Sequence, residues 1–265
     1  MAGYAPMTPP PGSSPPWVLL RGLTREAGHW GGFPDRLRQA LGAGARVILL
    51  DLPGNGALNA QPSPWRVQDM LQAGRSQLLA GGLEPPYRVL AMSLGAMVAA
   101  EWMRQAPQEL ASAVLINTSL RPFSAFYRRL RPRNYATLLR LAWCWRQPLE
   151  AERLIHALTS RRADLREQAV PGWAQLRAER PVSRANALRQ LAAAARYRAD
   201  AAAPPVPLLL LGSAGDGLVH PACTAAIAHA WGCAQASHPT AGHDLPLDAP
   251  DWVVQQVCGW LESRA

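Results

Sequence analysis

No lysine occurs in the 265 residues, so all 27 basic side chains are arginines. Arginine in place of lysine throughout, beside abundant alanine, is the mark of GC-rich coding and not of a functional choice. Cysteine is scarce. Cys144, Cys223, Cys233 and Cys258 show neither a CxxC pair nor a metal-ligand spacing. They read as reduced, small apolar core residues and not as a disulfide framework. No early apolar run resembles a signal peptide, and no stretch is long and apolar enough to span a bilayer. The expected location is therefore the cytoplasm. Internal repeats are lacking. No nucleic-acid-binding motif accompanies the positive charge, which argues against a nucleic-acid partner.

What is present suits one α/β domain with an inserted subdomain. Hydrophobic residues make up 49% of the chain, enough for a sizeable core. Residues 1–16 are rich in proline, glycine and serine and read as a flexible tail. Short apolar runs then alternate with helical patterns. Strands are expected at Trp17–Leu20, Arg46–Leu50, Arg88–Met92, Ala113–Ile116 and Pro207–Leu211, with a weaker one at Cys233–Ala236. Helices are expected from Phe33 to Leu41, Trp65 to about Leu79, Leu94 to Gln105, Pro221 to Ala230 and Trp252 to Leu261. Continuous apolar strands separated by helices predict a parallel sheet of about six strands, covered on both faces. Such sheets bind ligands beyond the carboxyl ends of their strands.

The chemistry collects at those ends. Arg88-Val89-Leu90-Ala91-Met92-Ser93-Leu94-Gly95-Ala96 is an apolar strand running into a serine and then directly into an apolar helix. This is the form of a nucleophile elbow, G-x-S-x-G, with Ala91 in place of the first glycine. The sharp turn needs small residues two positions away on each side. It also leaves the serine oxygen at a helix N-terminus, where N–H groups favour negative charge. The plainer alternative is a strand-to-helix turn with an incidental serine. Further strand ends carry Arg21-Gly22-Leu23, Asp51-Leu52-Pro53-Gly54-Asn55-Gly56, Gly215-Asp216-Gly217-Leu218-Val219 and Gly242-His243.

These five motifs, in this order, resemble the α/β-hydrolase family. Serine, acid and histidine follow in the chain order of that fold. Residues 17–119 and 203–263 are similar to single-domain esterases such as the bacterial pimeloyl-ester methyl esterases of biotin synthesis and related lipases and thioesterases. Arg21 stands where the family has histidine, and Asn55 also replaces a histidine. The resemblance implies a core of 17–119 and 201–265 with a helical cap over 120–200. It implies Ser93 as nucleophile, His243 as base and Asp216 as the acid that orients it. Asn117-Thr118-Ser119 offers no carboxylate at the alternative acid position. Asp244 and Asp248 are expected to cap or solvate the last turn. Backbone N–H groups of Leu23 and Leu94 would form the oxyanion hole. No metal or organic cofactor is implied.

The charge is unevenly placed. Residues 121–200 hold 17 arginines and six acids, a balance of +11, against −2 for the remainder. Phe123, Phe126, Tyr127, Trp143 and Trp145 lie in that stretch and are expected to line an acyl pocket. One reading is ordinary packing with arginines on a solvated face. The other is a basic aromatic surface for an anionic partner: acyl carrier protein, acyl-CoA or lipid head groups. The expected activity is cleavage of a carboxylic ester or thioester of a small-molecule substrate. Acyl transfer or a lyase-type reaction on the same residues, and a non-catalytic ligand-binding module, are the alternatives. Oligomeric state is left open.

Overall fold

The computed structural model describes residues 14–264. The tail expected over residues 1–16 therefore lies almost wholly outside the described residues. Strand β1 (Trp17–Leu20) leads to helix α1 (Phe33–Leu41), β2 (Val47–Leu50), α2 (Val67–Ala80), β3 (Tyr87–Met92), α3 (Leu94–Gln105) and β4 (Leu110–Ile116). Five helices intervene before β5: α4 (Phe126–Arg129), α5 (Tyr135–Trp143), α6 (Pro148–Thr159), α7 (Arg166–Glu179) and α8 (Arg184–Arg196). Strand β5 (Leu208–Ser213), α9 (Ala222–Trp231), β6 (Ala234–His238), α10 (Leu245–Asp248) and α11 (Pro250–Glu262) complete the chain. All six strands are parallel, in the order β2-β1-β3-β4-β5-β6.

Side chains alternate across a strand, so each apolar run supplies both faces of the sheet. Val18, Leu20, Val89, Ala91, Leu208 and Leu210 face α2, α3 and α9. Trp17, Leu19, Leu90, Met92, Leu209 and Leu211 face α1 and α11. Burial on both faces is why these strands read as unbroken apolar runs. The weak signal of β6 has the opposite cause. It is an edge strand whose residues are all at least partly exposed, so a polar composition costs little there. Among the described residues, no helix is long and apolar enough to cross a membrane.

The helical insertion is attached differently. Its own apolar cluster is small, centred on Leu141, Ala151 and Ile155. Polar contacts tie it to the sheet's carboxyl end. Gln190 of α8 accepts from the Thr24 N–H at 2.7 Å and donates to Asn55 Oδ1 at 2.9 Å. Asn134 and Arg131 donate to the carbonyls of Gly217 and Asp216. Asp248 accepts from Ser160 Oγ and from the N–H groups of Arg161 and Gly242.

Candidate active site

Ser93 occupies the corner between β3 and α3 with φ 54° and ψ −117°, a conformation that non-glycine residues rarely adopt. The corner is close-packed. A Cβ on Gly95 would lie 2.5 Å from the Arg21 carbonyl and 2.7 Å from that of Leu20, so only glycine lets α3 approach β1. A Cβ on Gly22 would lie 3.0 Å from that of Ser93. The loop after β1 thus runs directly against the serine. Ala91 is fully buried on the sheet and fits where the usual pattern has glycine. Neither the Leu23 N–H nor the Leu94 N–H donates a hydrogen bond among the described residues. Both remain available to an incoming oxygen.

Asp216 and His243 lie at the ends of β5 and β6 and are buried. His243 Nδ1 is 2.7 Å from Asp216 Oδ2. A carboxylate can only accept, so Nδ1 carries the proton and Nε2 keeps its lone pair. Asp216 Oδ1 accepts from the Leu218 and Val219 N–H groups at 2.8 and 2.9 Å, which fixes the carboxylate in its turn. Burial opposes the imidazolium form of His243. The charge and hydrogen bond of Asp216, with help from Asp244, outweigh that and raise its pKa above 6.5.

Two consecutive residues after β4 join the parts. Asn117 Nδ2 donates to the His243 carbonyl at 2.8 Å and to Ser213 Oγ at 2.9 Å. Thr118 Oγ1 donates to the Ser93 carbonyl at 3.1 Å. Asn117 has φ 44°, which asparagine tolerates better than most residues. Only its lack of a carboxylate was legible in the sequence; its role in holding the histidine turn was not.

Arg21 forms a bidentate pair with Asp244 at 3.0 and 2.6 Å, and both side chains are buried. Asp244 and Asp248 therefore do not solvate the last turn. Asp244 neutralises Arg21, and Asp248 ties the turn to the insertion. Burial works against the Asp244 carboxylate, but Arg21 holds its pKa below the ordinary value. Of the other histidines, His238 Nδ1 accepts from the N–H groups of Thr240 and Ala241 and shapes the turn before His243. His220 accepts from the Ala222 N–H, and His229 is exposed. His29 in the loop after β1 and His156 of α6 are buried.

The five aromatics expected to line an acyl pocket do not come together. Phe126 and Trp143 are 74% and 86% exposed, and Tyr127 is also exposed. Phe123 packs edge-on against Trp231, and Trp145 donates to the Val182 carbonyl inside the insertion. Among the described residues, no cluster of three or more His, Cys, Asp or Glu is placed to hold a metal ion.

Residues 17–256 match the family model described as the alpha/beta hydrolase family. The chain belongs to that family. It is 33% identical over 110 residues to a pimeloyl-[acyl-carrier protein] methyl ester esterase of Chromobacterium violaceum. That match covers 42% of this chain and 39% of the relative, so it spans only about two-fifths of the relative's length. A thermophilic esterase of Thermogutta terrifontis superposes with a TM-score of 0.71 at 21% identity, over 95% of this chain and 91% of that one. The esterase RhEst1 of Rhodococcus sp. ECU1013 also gives 0.71, at 18% identity, over 94% and 90%. At these identities the likeness is one of fold.

Proposed function

We propose that this hydrolase cleaves a carboxylic ester or thioester through an acyl-enzyme on Ser93. The observation that carries the reading is the buried His243–Asp216 hydrogen bond at strand ends whose flanking loops also hold the strained Ser93 corner. In this reading His243 Nε2 removes the Ser93 proton as Oγ attacks the carbonyl carbon. The oxyanion meets the free N–H groups of Leu23 and Leu94, each worth ~3 kcal/mol in the transition state. His243 then protonates the departing alcohol or thiol. Water, deprotonated by the same imidazole, releases the acid. Asp216 keeps Nδ1 protonated and steadies the imidazolium that forms.

Residues 120–200 would act as the cap over this site. Support comes from contacts of the insertion with the loops of Asp216, His243 and Thr24, where Arg131 meets the Asp216 carbonyl, Thr159 accepts from the Asp244 N–H and Gln190 accepts from the Thr24 N–H. A carrier-linked substrate fits the activity for which the Chromobacterium relative is named and the +11 charge of the segment. Turnover of such a substrate should fall with added salt, while that of a neutral short ester should not, since exposed charges are screened beyond ~10 Å at about 0.1 M. A cytoplasmic location belongs to the same reading and rests on four unpaired cysteines. The deciding experiment is labelling with a fluorophosphonate probe and mapping of the modified peptide. Modification at Ser93, lost in Ser93→Ala, is expected; modification elsewhere, or none, would reject the reading.

A further inference from the structure

The basic excess of the insertion is not spread evenly over it. Residues 121–149 and 180–199 hold 12 arginines and no acid, seven in the first stretch and five in the second. The six acids sit within 150–179 and at Asp200. Among the described residues, only Arg140 and Arg180 of those 12 form ion pairs, with Glu150 at 4.0 Å and with Glu26. The two acid-free stretches contain α4, α5 and α8.

The same three helices turn apolar side chains outward. In α5, Leu141 packs into the insertion's own cluster. Tyr135, Leu139 and Trp143 follow at intervals of four residues along the opposite side, and all three are exposed. Helix α5 is therefore apolar on both sides, the pattern of a helix with a partner on each. In α8, Leu188, Leu191 and Ala195 form a second exposed line, three and four residues apart. Helix α4 adds Phe126 and Tyr127, whose rings meet edge to face. Hydrogen bonds join these exposed lines. Arg184, at the head of the α8 line, donates to the Ala142 carbonyl next to Trp143. At the other end of that line, Arg129 of α4 donates to the carbonyls of Ala194 and Ala195. A joined apolar surface of this kind marks a place where something binds.

The chemistry of the face selects its occupant. A second copy of this chain would set the same arginines against each other, with no acid to meet them. An acidic protein or a nucleic acid answers the arginines but leaves Leu139, Leu188 and Leu191 without an apolar medium. A membrane with anionic headgroups answers both. Its phosphates meet guanidinium groups, its hydrocarbon takes leucines, and the boundary between them suits tryptophan and tyrosine.

We propose that the face made by α4, α5 and α8 docks the protein on an anionic phospholipid surface. Phe126, Leu139, Trp143 and Leu188 enter the boundary between headgroups and acyl chains, while the exposed Arg128, Arg140 and Arg146 meet phosphates. Docking needs no turnover, so the proposal does not rest on the hydrolase reading. Charge by itself serves a carrier protein equally; the exposed leucines decide for the membrane.

The test is flotation of the full-length chain with vesicles of phosphatidylglycerol and phosphatidylcholine in equal parts, and with vesicles of phosphatidylcholine alone. Binding to the anionic vesicles should be saturable, at least about tenfold tighter than to the neutral ones, and weakened by salt. Trp143→Ser and Leu139→Ser should each weaken it about tenfold, since each withdraws one apolar side chain from the boundary. Arg140→Gln and Arg146→Gln should cost about fivefold each. Leu79→Ser removes a comparably exposed leucine from α2, outside the insertion, and should change nothing. All these side chains are exposed, so the urea midpoint should stay put and lost binding is not lost fold. Acyl-brominated lipid should quench tryptophan emission less in Trp143→Phe, which still binds, than in wild type. Polyglutamate and an oligouridine serve as polyanions without hydrocarbon, and any binding to them should ignore Trp143→Ser and Leu139→Ser. No saturable vesicle binding, or vesicle binding that ignores those two substitutions, would overturn the proposal. Polyanion binding that depends on them would assign the face to an acidic protein or to RNA instead, and a dimer that Leu139→Ser dissolves would assign it to a second copy.

Discussion

The sheet and the helical insertion are held by different forces. Both faces of the sheet are closed by aliphatic and aromatic side chains, in two continuous clusters. The insertion has a small apolar cluster of its own, adds Leu120, Ala193 and Tyr197 to one of the sheet's clusters, and otherwise meets the sheet through hydrogen bonds and ion pairs around Glu152, Gln190, Asp248 and Glu26. Its outer surface exposes Phe126, Leu139, Trp143 and Leu188. Burial of apolar area is non-directional and tolerant, whereas a buried polar contact depends on every partner being present. The sheet is therefore the rigid platform of the proposed chemistry, and the insertion is the part that pH, charge or ligand can loosen.

The sharpest contrast is in activity. Ser93→Ala and His243→Ala should each lower kcat/KM for nitrophenyl butyrate by ~10⁴-fold or more, with the urea midpoint unchanged. A comparable loss from substituting any exposed aromatic of the insertion would break the division of labour. Asp216→Asn should follow, with turnover down about 10³–10⁴-fold. Its pH profile is the finer probe. The imidazole must be neutral to act as base, and its pKa is raised above 6.5 by Asp216 against burial. In wild type, kcat/KM should therefore rise with pH through a limb centred above 6.5. Removing the carboxylate charge should move that limb to lower pH. A limb that stays put would separate Asp216 from the base.

Next in size is the buried Arg21–Asp244 pair of the platform itself. Arg21→Met leaves Asp244 buried without a cation and should cost about 3–5 kcal/mol in urea unfolding. Adding Asp244→Asn should recover much of it. Glu152→Gln is expected to act on the insertion instead. Two guanidinium groups would lose their shared carboxylate, and trypsin should cut sooner within residues 120–200 while the core fragments persist. Equal cleavage rates would mean the ion pairs do not hold the insertion down. The smallest effect is predicted for Trp143→Ser, within about 0.5 kcal/mol, since the ring is largely in water.

Legibility follows the same division. Strand β1 and helix α1 have the bounds that apolar periodicity predicts, because buried parallel strands and amphipathic helices leave a local pattern. The Ser93 corner and the Asp216–His243 contact, which carry the proposed chemistry, lie at the motifs the sequence singles out, because small residues and turns at strand ends are themselves a local signal. The partners of Arg21, Arg25 and Glu152 were not. The Arg21–Asp244 and Arg25–Glu152 pairs join residues more than a hundred positions apart, and a charged residue in sequence carries no sign of being buried. The aromatic stretch of the insertion was misleading for a related reason. An apolar side chain shows what it can cover, not whether anything arrives to be covered.

The chain by itself determined the alternation of strands and helices, the order of the motifs and the uneven placing of charge, all of which depend on neighbours in sequence. Tertiary structure alone decided that Asn117 holds the histidine turn, that Asp244 neutralises Arg21, and that Arg25 and Arg177 share Glu152. Those outcomes depend on which distant side chains share a low-dielectric space, where one missing partner is worth more than any local propensity.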